Sequence, residues 1–302
     1  MSDVLDIAVP HYVDYVLDDL WAWRREGLET ALLTLVGVDG SSPRPLGSQI
    51  AVASDGRAIG AITGGCAEQA LVRDALAAMA RGRNHVELYG EGSRFRDIVL
   101  PCGSGIHVCF DVTLPDDTLR QLVVARRERR EAVYACEGSE GRFLRPYQPQ
   151  PRLLLAGQGA IVPVLAGMAR LSEFAVTVVS PDETTRERTA ADLILPLRPG
   201  MDWEAALVDE ATAVVSLFHD HDYEPDILAA ALRSQAFYIG ALGSRRTHTR
   251  RIETLRAQGW PETQTARIHG PVGLDIGAKT PPEIALSIMG DVVRAWRVGA
   301  VS

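Results

Sequence analysis

The sequence predicts an α/β protein in two parts. An N-terminal mixed α+β domain covers residues 1–115, and a doubly wound parallel-sheet domain covers 151–302. A helix, short strands and a proline-rich linker over 116–150 connect them. Three observations carry this reading. Before residue 115, strand-like runs are joined by tight turns such as Asp55-Gly56, the signature of antiparallel pairing. After residue 151, wholly apolar runs such as Leu153-Leu154-Leu155-Ala156 alternate with helical segments, the signature of a sheet buried on both faces. Between them, Pro146, Pro149 and Pro151 favour extended chain.

Taken in order, residues 11–26 pattern as an amphipathic helix stopped by Gly27. A strand follows over 32–38, then a hairpin with arms at 49–54 and 57–62. A helix begins after Gly65 and runs to about Arg81, and strands are expected near 84–89 and 106–112. The helix over about 117–130 carries the charged run Arg126-Arg127-Glu128-Arg129-Arg130-Glu131, read as a solvated face. Beyond the linker, the strand at 153–156 leads through Gly157-Gln158-Gly159 into a helix ending near Leu171. Strands recur at 175–179, 192–195, 212–217 and 236–240. Right-handed crossovers make this order a Rossmann-like domain.

Composition narrows the function. With 302 residues and 46% apolar content the chain is long enough for two ordinary cores. Its net charge of -8 argues against nucleic-acid binding, which needs a basic face. No apolar run approaches the roughly 18 residues of a membrane span, and no secretory signal is visible, so the expected location is cytoplasmic. The cysteines Cys66, Cys102, Cys109 and Cys136 form no C-x-x-C pair and read as thiols rather than staples or zinc ligands. Cys109 alternates with its neighbours as a core strand residue. The basic cluster Arg245-Arg246 with Arg250-Arg251 runs against the overall charge and suits a phosphate or an acidic partner.

The chemistry concentrates in three glycine-rich turns: Gly40-Ser41-Ser42-Pro43-Arg44-Pro45-Leu46-Gly47, Thr63-Gly64-Gly65-Cys66-Ala67-Glu68 and Pro101-Cys102-Gly103-Ser104-Gly105. Backbone amides in such turns bind anions without a side chain in the way. Arg44 can add a bidentate contact, and Cys66 near a helix N-terminus is expected to have a lowered thiol pKa. The spacing therefore predicts that the three turns converge on an anionic ligand beside a thiol. In the second domain, Gly157 and Gly159 form a partial dinucleotide fingerprint, but Val162 stands at its third position and Ser180 where the ribose-binding acid belongs. His219-Asp220-His221-Asp222 follows the fourth strand of that domain and reads as a polar rim, a helix cap or a weak metal set. His269, between Arg267 and Gly270, sits in a tight glycine loop beside the same edge.

Four motifs occur in order: Gly40-Ser41-Ser42-Pro43-Arg44, Gly64-Gly65-Cys66, Gly240-Ala241-Leu242-Gly243-Ser244-Arg245-Arg246 and His269-Gly270-Pro271-Val272-Gly273-Leu274-Asp275-Ile276-Gly277-Ala278. Pro281-Pro282-Glu283-Ile284-Ala285 adds a last helix start. Together they resemble the XdhC/CoxI family of xanthine dehydrogenase accessory proteins, over residues from about 30 to 296. The resemblance implies a molybdenum cofactor chaperone, more an accessory protein than an enzyme with turnover. It would bind molybdopterin or its cytosine dinucleotide form and assist sulfuration with a cysteine desulfurase. It would then pass the cofactor to an apo-molybdenum hydroxylase of the xanthine dehydrogenase type. Self-association as a homodimer is also implied. The residues expected to contact the cofactor are Ser42, Arg44, Gly47, Gly64, Gly65, Cys66, Glu68, Gly103, Gly157, Gly159, His219, Asp220, Ser244, Arg245, His269, Gly270 and Gly273, with Cys66 and Cys102 as the sulfur-handling thiols. The competing readings are an NAD(P)-dependent oxidoreductase with a degenerate Rossmann site and a metal-dependent hydrolase built on His219, Asp220 and His221.

Overall fold

The computed structural model describes residues 15–42, 44–65, 67–93, 105–138, 141–198, 207–218 and 223–299. The chain divides into two compact units, one over Pro10–Pro149 and one taking in Gln150–Ser302.

The first unit is built on a five-stranded sheet of order β3-β2-β1-β5-β4, formed by β1 (Thr30–Asp39), β2 (Gln49–Ala53), β3 (Ala58–Gly60), β4 (His85–Gly90) and β5 (Gly105–Asp111). Every adjacent pair is antiparallel. The Asp55-Gly56 turn closes the β2–β3 hairpin, and Gly56 takes a φ of 91° that glycine adopts without strain. β1 is apolar on both sides because both of its faces are covered. Ala31, Leu33 and Leu35 pack with Leu71, Ala75 and Ala78 of α2 (Glu68–Arg81). Leu32 and Val36 pack with α1 (Leu17–Arg25) and α3 (Asp116–Arg127). The same second face is covered by a hairpin of β6 (Ala132–Gly138) and β7 (Gly141–Tyr147), which buries Tyr134, Cys136 and Tyr147. Two sequence expectations change here. Arg126 is not a solvated residue: it pairs with Asp18 of α1 and lies 4.3 Å above the Tyr15 ring. Pro146 belongs to β7 rather than to a linker. Each follows from packing that the local charge and proline content do not reveal.

The second unit is a six-stranded parallel sheet of order β10-β9-β8-β11-β12-β13. Its strands are β8 (Arg152–Gly157), β9 (Ala175–Ser180), β10 (Leu193–Pro196), β11 (Thr212–Leu217), β12 (Tyr238–Ala241) and β13 (Ile268–His269). The helices are α4 (Ile161–Leu171), α5 (Glu183–Arg188), α6 (Glu224–Arg233), α7 (Arg245–Ala257), α8 (Glu262–Thr265) and α9 (Pro281–Gly299). One sheet face packs with Leu165 and Ala169 of α4 and Ile288 and Val292 of α9. The other packs with Ile227 and Ala231 of α6 and Leu255 of α7. Leu153 and Leu154 thus point to opposite cores, which explains the unbroken apolar run. The strand order reverses between β8 and β11, where open α/β sheets bind ligands. Among the described residues no helix is long and apolar enough to cross a membrane.

Candidate functional site

In the first unit, strand register brings the glycine turns to one end of the sheet. Thr34 pairs with Gln49, Ile50 with Gly60, and Asp39 and Gly90 both pair with Gly105. The β1–β2, β3–α2 and β4–β5 connections therefore leave the same edge. The first holds Ser42, Arg44 and Gly47; the second holds Gly64, Gly65 and Cys66; the third holds Cys102 and Gly103. Cys66, Cys102 and Gly103 lie outside the described residues, so the register places only their connections.

The second turn is tied to Glu68, the first residue of α2. Its carboxylate accepts hydrogen bonds from the backbone N–H groups of Thr63 at 2.8 Å, Gly64 at 2.9 Å and Gly65 at 2.7 Å. Ala67 N–H adds one at 3.2 Å, and the Thr63 hydroxyl donates at 2.5 Å. Thr63 Oγ in turn accepts from Ala67 N–H. Burial pushes the Glu68 carboxyl up. The Thr63 hydroxyl and the N–H groups outweigh it and hold the pKa below the ordinary range. Gly64 and Gly65 have φ values of 78° and 116°, the left-handed backbone that aims their amides inward. Sequence spacing assigns these amides to a ligand anion. In the structure an internal carboxylate holds them, because a helix N-terminus with its own acid one turn away satisfies itself.

The first turn is tied by different means. Ser42 Oγ accepts from Arg44 N–H at 3.3 Å, and Gly47 N–H donates to the Leu35 carbonyl at 2.8 Å. A Cβ on Gly47 would come 2.7 Å from Cδ of Arg145, which lies across that glycine from β7. Sequence reasoning misses a polar pair on the same edge: His107 Nε2 and Asp39 Oδ2 are 3.0 Å apart across β5 and β1. The two residues are 68 apart in the chain, so only the register reveals them.

In the second unit, a Cβ on Gly157 would lie 2.6 Å from Cβ of Leu217, so the first fingerprint glycine serves close approach of β11. Gly159 N–H donates to Thr185 Oγ at 3.0 Å, and Thr185 is held by Asp182, the N-cap of α5. Hydrogen bonds from the Thr185 side chain and backbone lower the Asp182 pKa. Ser180 is fully buried, with its hydroxyl engaged by Asp182 N–H. This turn lacks an acid facing a ribose diol and an uncommitted second-glycine amide, and it does not fit the dinucleotide end of NAD(P). His219 and Asp220 lie outside the described residues.

Farther along the same sheet edge, Ser244 caps α7 by accepting from Thr247 N–H at 3.1 Å. Arg245 is highly exposed and 3.8 Å from Asp275. His269 ends β13, with its ring 4.4 Å from that of Tyr238 and its Nδ1 4.0 Å from Asp291 Oδ2. Asp291 is buried and accepts from the Tyr238 hydroxyl at 2.6 Å and Arg294 at 2.6 Å. Gly270 and Gly273, expected as ligand contacts, are accounted for by packing. A Cβ on Gly270 would meet His248 Nδ1 at 2.0 Å, and one on Gly273 would meet Ser287 Oγ at 2.3 Å. Burial, then the charges of Arg251 and His269, hold the His248 pKa below 6.5. The basic cluster also needs correction. Arg251 is buried, 2.6 Å from Glu224, and donates to the Leu242 carbonyl at 2.7 Å. It joins α7, α6 and the end of β12 instead of meeting an external anion. Among the described residues no group of three or more His, Cys, Asp or Glu is arranged to hold a metal.

Comparison with known proteins agrees with this architecture. Residues 153–292 match the XdhC Rossmann domain, and residues 23–90 match the XdhC and CoxI family. The chain is 34% identical over 283 residues to the molybdenum cofactor insertion chaperone PaoD of Escherichia coli, covering 88% of this chain and 83% of that protein. It is 26% identical to a protein of Bacillus subtilis described as a probable xanthine dehydrogenase component, covering 90% of this chain and 95% of that one. A crystal structure described as a xanthine dehydrogenase from Bacillus halodurans superposes with a TM-score of 0.78 at 21% identity, covering 93% of this chain and 96% of that one.

Proposed function

The chain belongs to the XdhC and CoxI family, and from that premise we propose that it carries molybdenum cofactor to an apo-molybdenum hydroxylase as a cytoplasmic, homodimeric chaperone. The observation that carries this reading is the 34% identity to a molybdenum cofactor insertion chaperone across 88% of the chain. The convergence of the glycine turns at one end of the antiparallel sheet supports it. A cargo with a phosphate at one end and a metal dithiolene at the other needs an anion grip and a thiol within one molecule's length.

Glu68 revises how that grip works. Its carboxylate engages the Thr63, Gly64 and Gly65 amides in shaping the turn, so the turn's contribution to the cargo is Cys66, between Gly65 and Ala67 in sequence. The phosphate then falls to the β1–β2 connection, with Arg44 as its cation. Sulfuration of the cargo by a cysteine desulfurase, with Cys66 and Cys102 beside the metal, completes the reading. Molybdopterin is the form this unit can hold by itself. The cytosine dinucleotide form would need a second grip, and at the β8–α4 turn Thr185 would have to release Gly159.

The test is anaerobic gel filtration of the purified chain with molybdenum cofactor. Co-elution at micromolar concentration is expected. Cys66→Ala is expected to fold normally and retain cargo about tenfold less well, or about 1.4 kcal/mol, or to deliver cofactor that leaves the client hydroxylase inactive. Absence of co-elution by the parent chain ends the proposal. Equal activation of the client by Cys66→Ala removes the thiol role.

A further inference from the structure

The second face of the antiparallel sheet carries a buried polar seam that the chaperone reading does not use. Tyr147 donates to Gln49 Oε1 at 2.7 Å, and Gln49 Nε2 donates to Thr34 Oγ at 2.9 Å. Thr34 is the β-partner of Cys109, so the two residues share this face. Cys136 comes down onto it from β6, where the thiols of Cys109 and Cys136 hydrogen-bond to each other and the Thr34 hydroxyl also reaches Cys136. Asp111 closes the seam, accepting from the Tyr134 hydroxyl at 2.7 Å and from Asn84 at 2.8 Å. Both thiols are unbridged, with Cys109 1% and Cys136 8% exposed.

A buried thiol is ordinarily inert because nothing reaches it. Here a cavity of about 380 Å³ adjoins the pair, lined by Cys109, Cys136, Asn84, Asp111, Glu137 and Arg142. It admits a molecule of a few heavy atoms.

We propose that Cys109 and Cys136 form a two-electron dithiol–disulfide couple oxidised by small hydroperoxides that enter this cavity, with Cys136 the attacking thiol and Cys109 the resolving one. The hydrogen bonds set these roles. The Cys109 thiol donates to Cys136, and the Tyr134 and Thr34 hydroxyls join it in favouring the Cys136 thiolate against burial and Asp111. The same bond, with burial and the charges of Cys136 and Asp111, keeps Cys109 protonated. The pair shares one proton, held on Cys109.

In the first step the Cys136 thiolate attacks one oxygen of the hydroperoxide. The O–O bond breaks, the leaving oxygen departs with a proton as water or alcohol, and Cys136 becomes a sulfenic acid, oxidised by two electrons. In the second step Cys109 Sγ attacks Cys136 Sγ. The S–O bond breaks, hydroxide leaves with the Cys109 proton as water, and the S–S bond forms. The disulfide would fasten β6, and through it the β6–β7 hairpin, to β5.

The experiment uses the full chain with hydrogen peroxide, followed by non-reducing digestion and mass spectrometry. A linked Cys109–Cys136 peptide, reversed by dithiothreitol, is expected. In Cys109→Ser, oxidation is expected to stop at a Cys136 sulfenic acid that dimedone traps. In Cys136→Ser, Cys109 is expected to stay reduced at the same dose. Linkage of either thiol to Cys66 or Cys102 instead, or no linkage at a dose that oxidises those two, overturns the proposal. So does oxidation of Cys109 in Cys136→Ser as fast as in the parent. Differential alkylation of the unmutated chain during peroxide treatment gives a second readout independent of variant folding: Cys109 and Cys136 must lose reactivity together, and loss of only one sinks the couple.

Discussion

Glu68 decides what the Gly64-Gly65 turn can do. Its carboxylate is the acceptor for the N–H groups at the start of α2, so the turn keeps its shape before any cargo arrives. Because its folded pKa lies below the ordinary 4.5, the unfolded chain binds more protons here than the folded one in that range. Its stabilising contribution is therefore complete above pH 4.5 and is lost as pH falls from there through the depressed folded value. Glu68→Gln removes this ionisation and puts an amide donor against amide donors. It should cost about 1–2 kcal/mol at neutral pH. It should also flatten the acid limb of stability, read as the urea midpoint between pH 3 and 7. An acid limb identical to the parent's would show that the carboxylate contributes nothing specific. The residue's position beside Gly64 and Gly65 is legible in sequence, but its partner choice is not. A carboxylate next to glycine amides looks the same whether it faces a ligand or its own loop.

Among the elements, the segment from β13 to α9 shows how a motif can be specific without touching a ligand. Gly270 lies against His248 of α7, and Gly273 against Ser287 of α9. The motif's glycines dock two helices against the sheet edge, leaving His269 held between Tyr238 and Asp291. Gly270→Ala would drive a methyl group into the His248 ring, at a cost of about 1–3 kcal/mol. Removing the ring as well, in Gly270→Ala/His248→Ala, should recover most of that loss, a non-additivity measured by chemical denaturation of the four variants. Strict additivity would mean that the two residues do not share that space. The buried Glu224–Arg251 pair fastens α6 to α7 in the same region. A sequence reading that counts Arg251 among exposed cations goes wrong because charge alone does not reveal burial; the buried acid that accounts for it sits 27 residues upstream.

Across the chain as a whole, two sheets of different character meet two different tasks. The parallel sheet has the layout of a nucleotide-binding domain, yet the Gly159 amide is engaged by Thr185 and Ser180 is buried where an acid would face a ribose. Titration of the chain with NADH, followed by nicotinamide fluorescence, should therefore show no saturable binding at micromolar concentration. Tight saturation would revive the oxidoreductase reading. The architecture was legible before any coordinates. Period-two and wholly apolar runs, Asp55-Gly56 and the strand–glycine–helix order at 153–171 are local signals, and local signals dictate which elements form and which faces they bury. The family could be read for the same reason, since its motifs are short and ordered along the chain. The choice of partners was not legible in that way. Folding turned Glu68 inward, matched Asp39 to His107, buried Arg251 against Glu224 and set Cys136 on Cys109. Each of these depends on the register of strands or the docking of helices distant in sequence, and a hydrogen bond has no signature until both ends are in place.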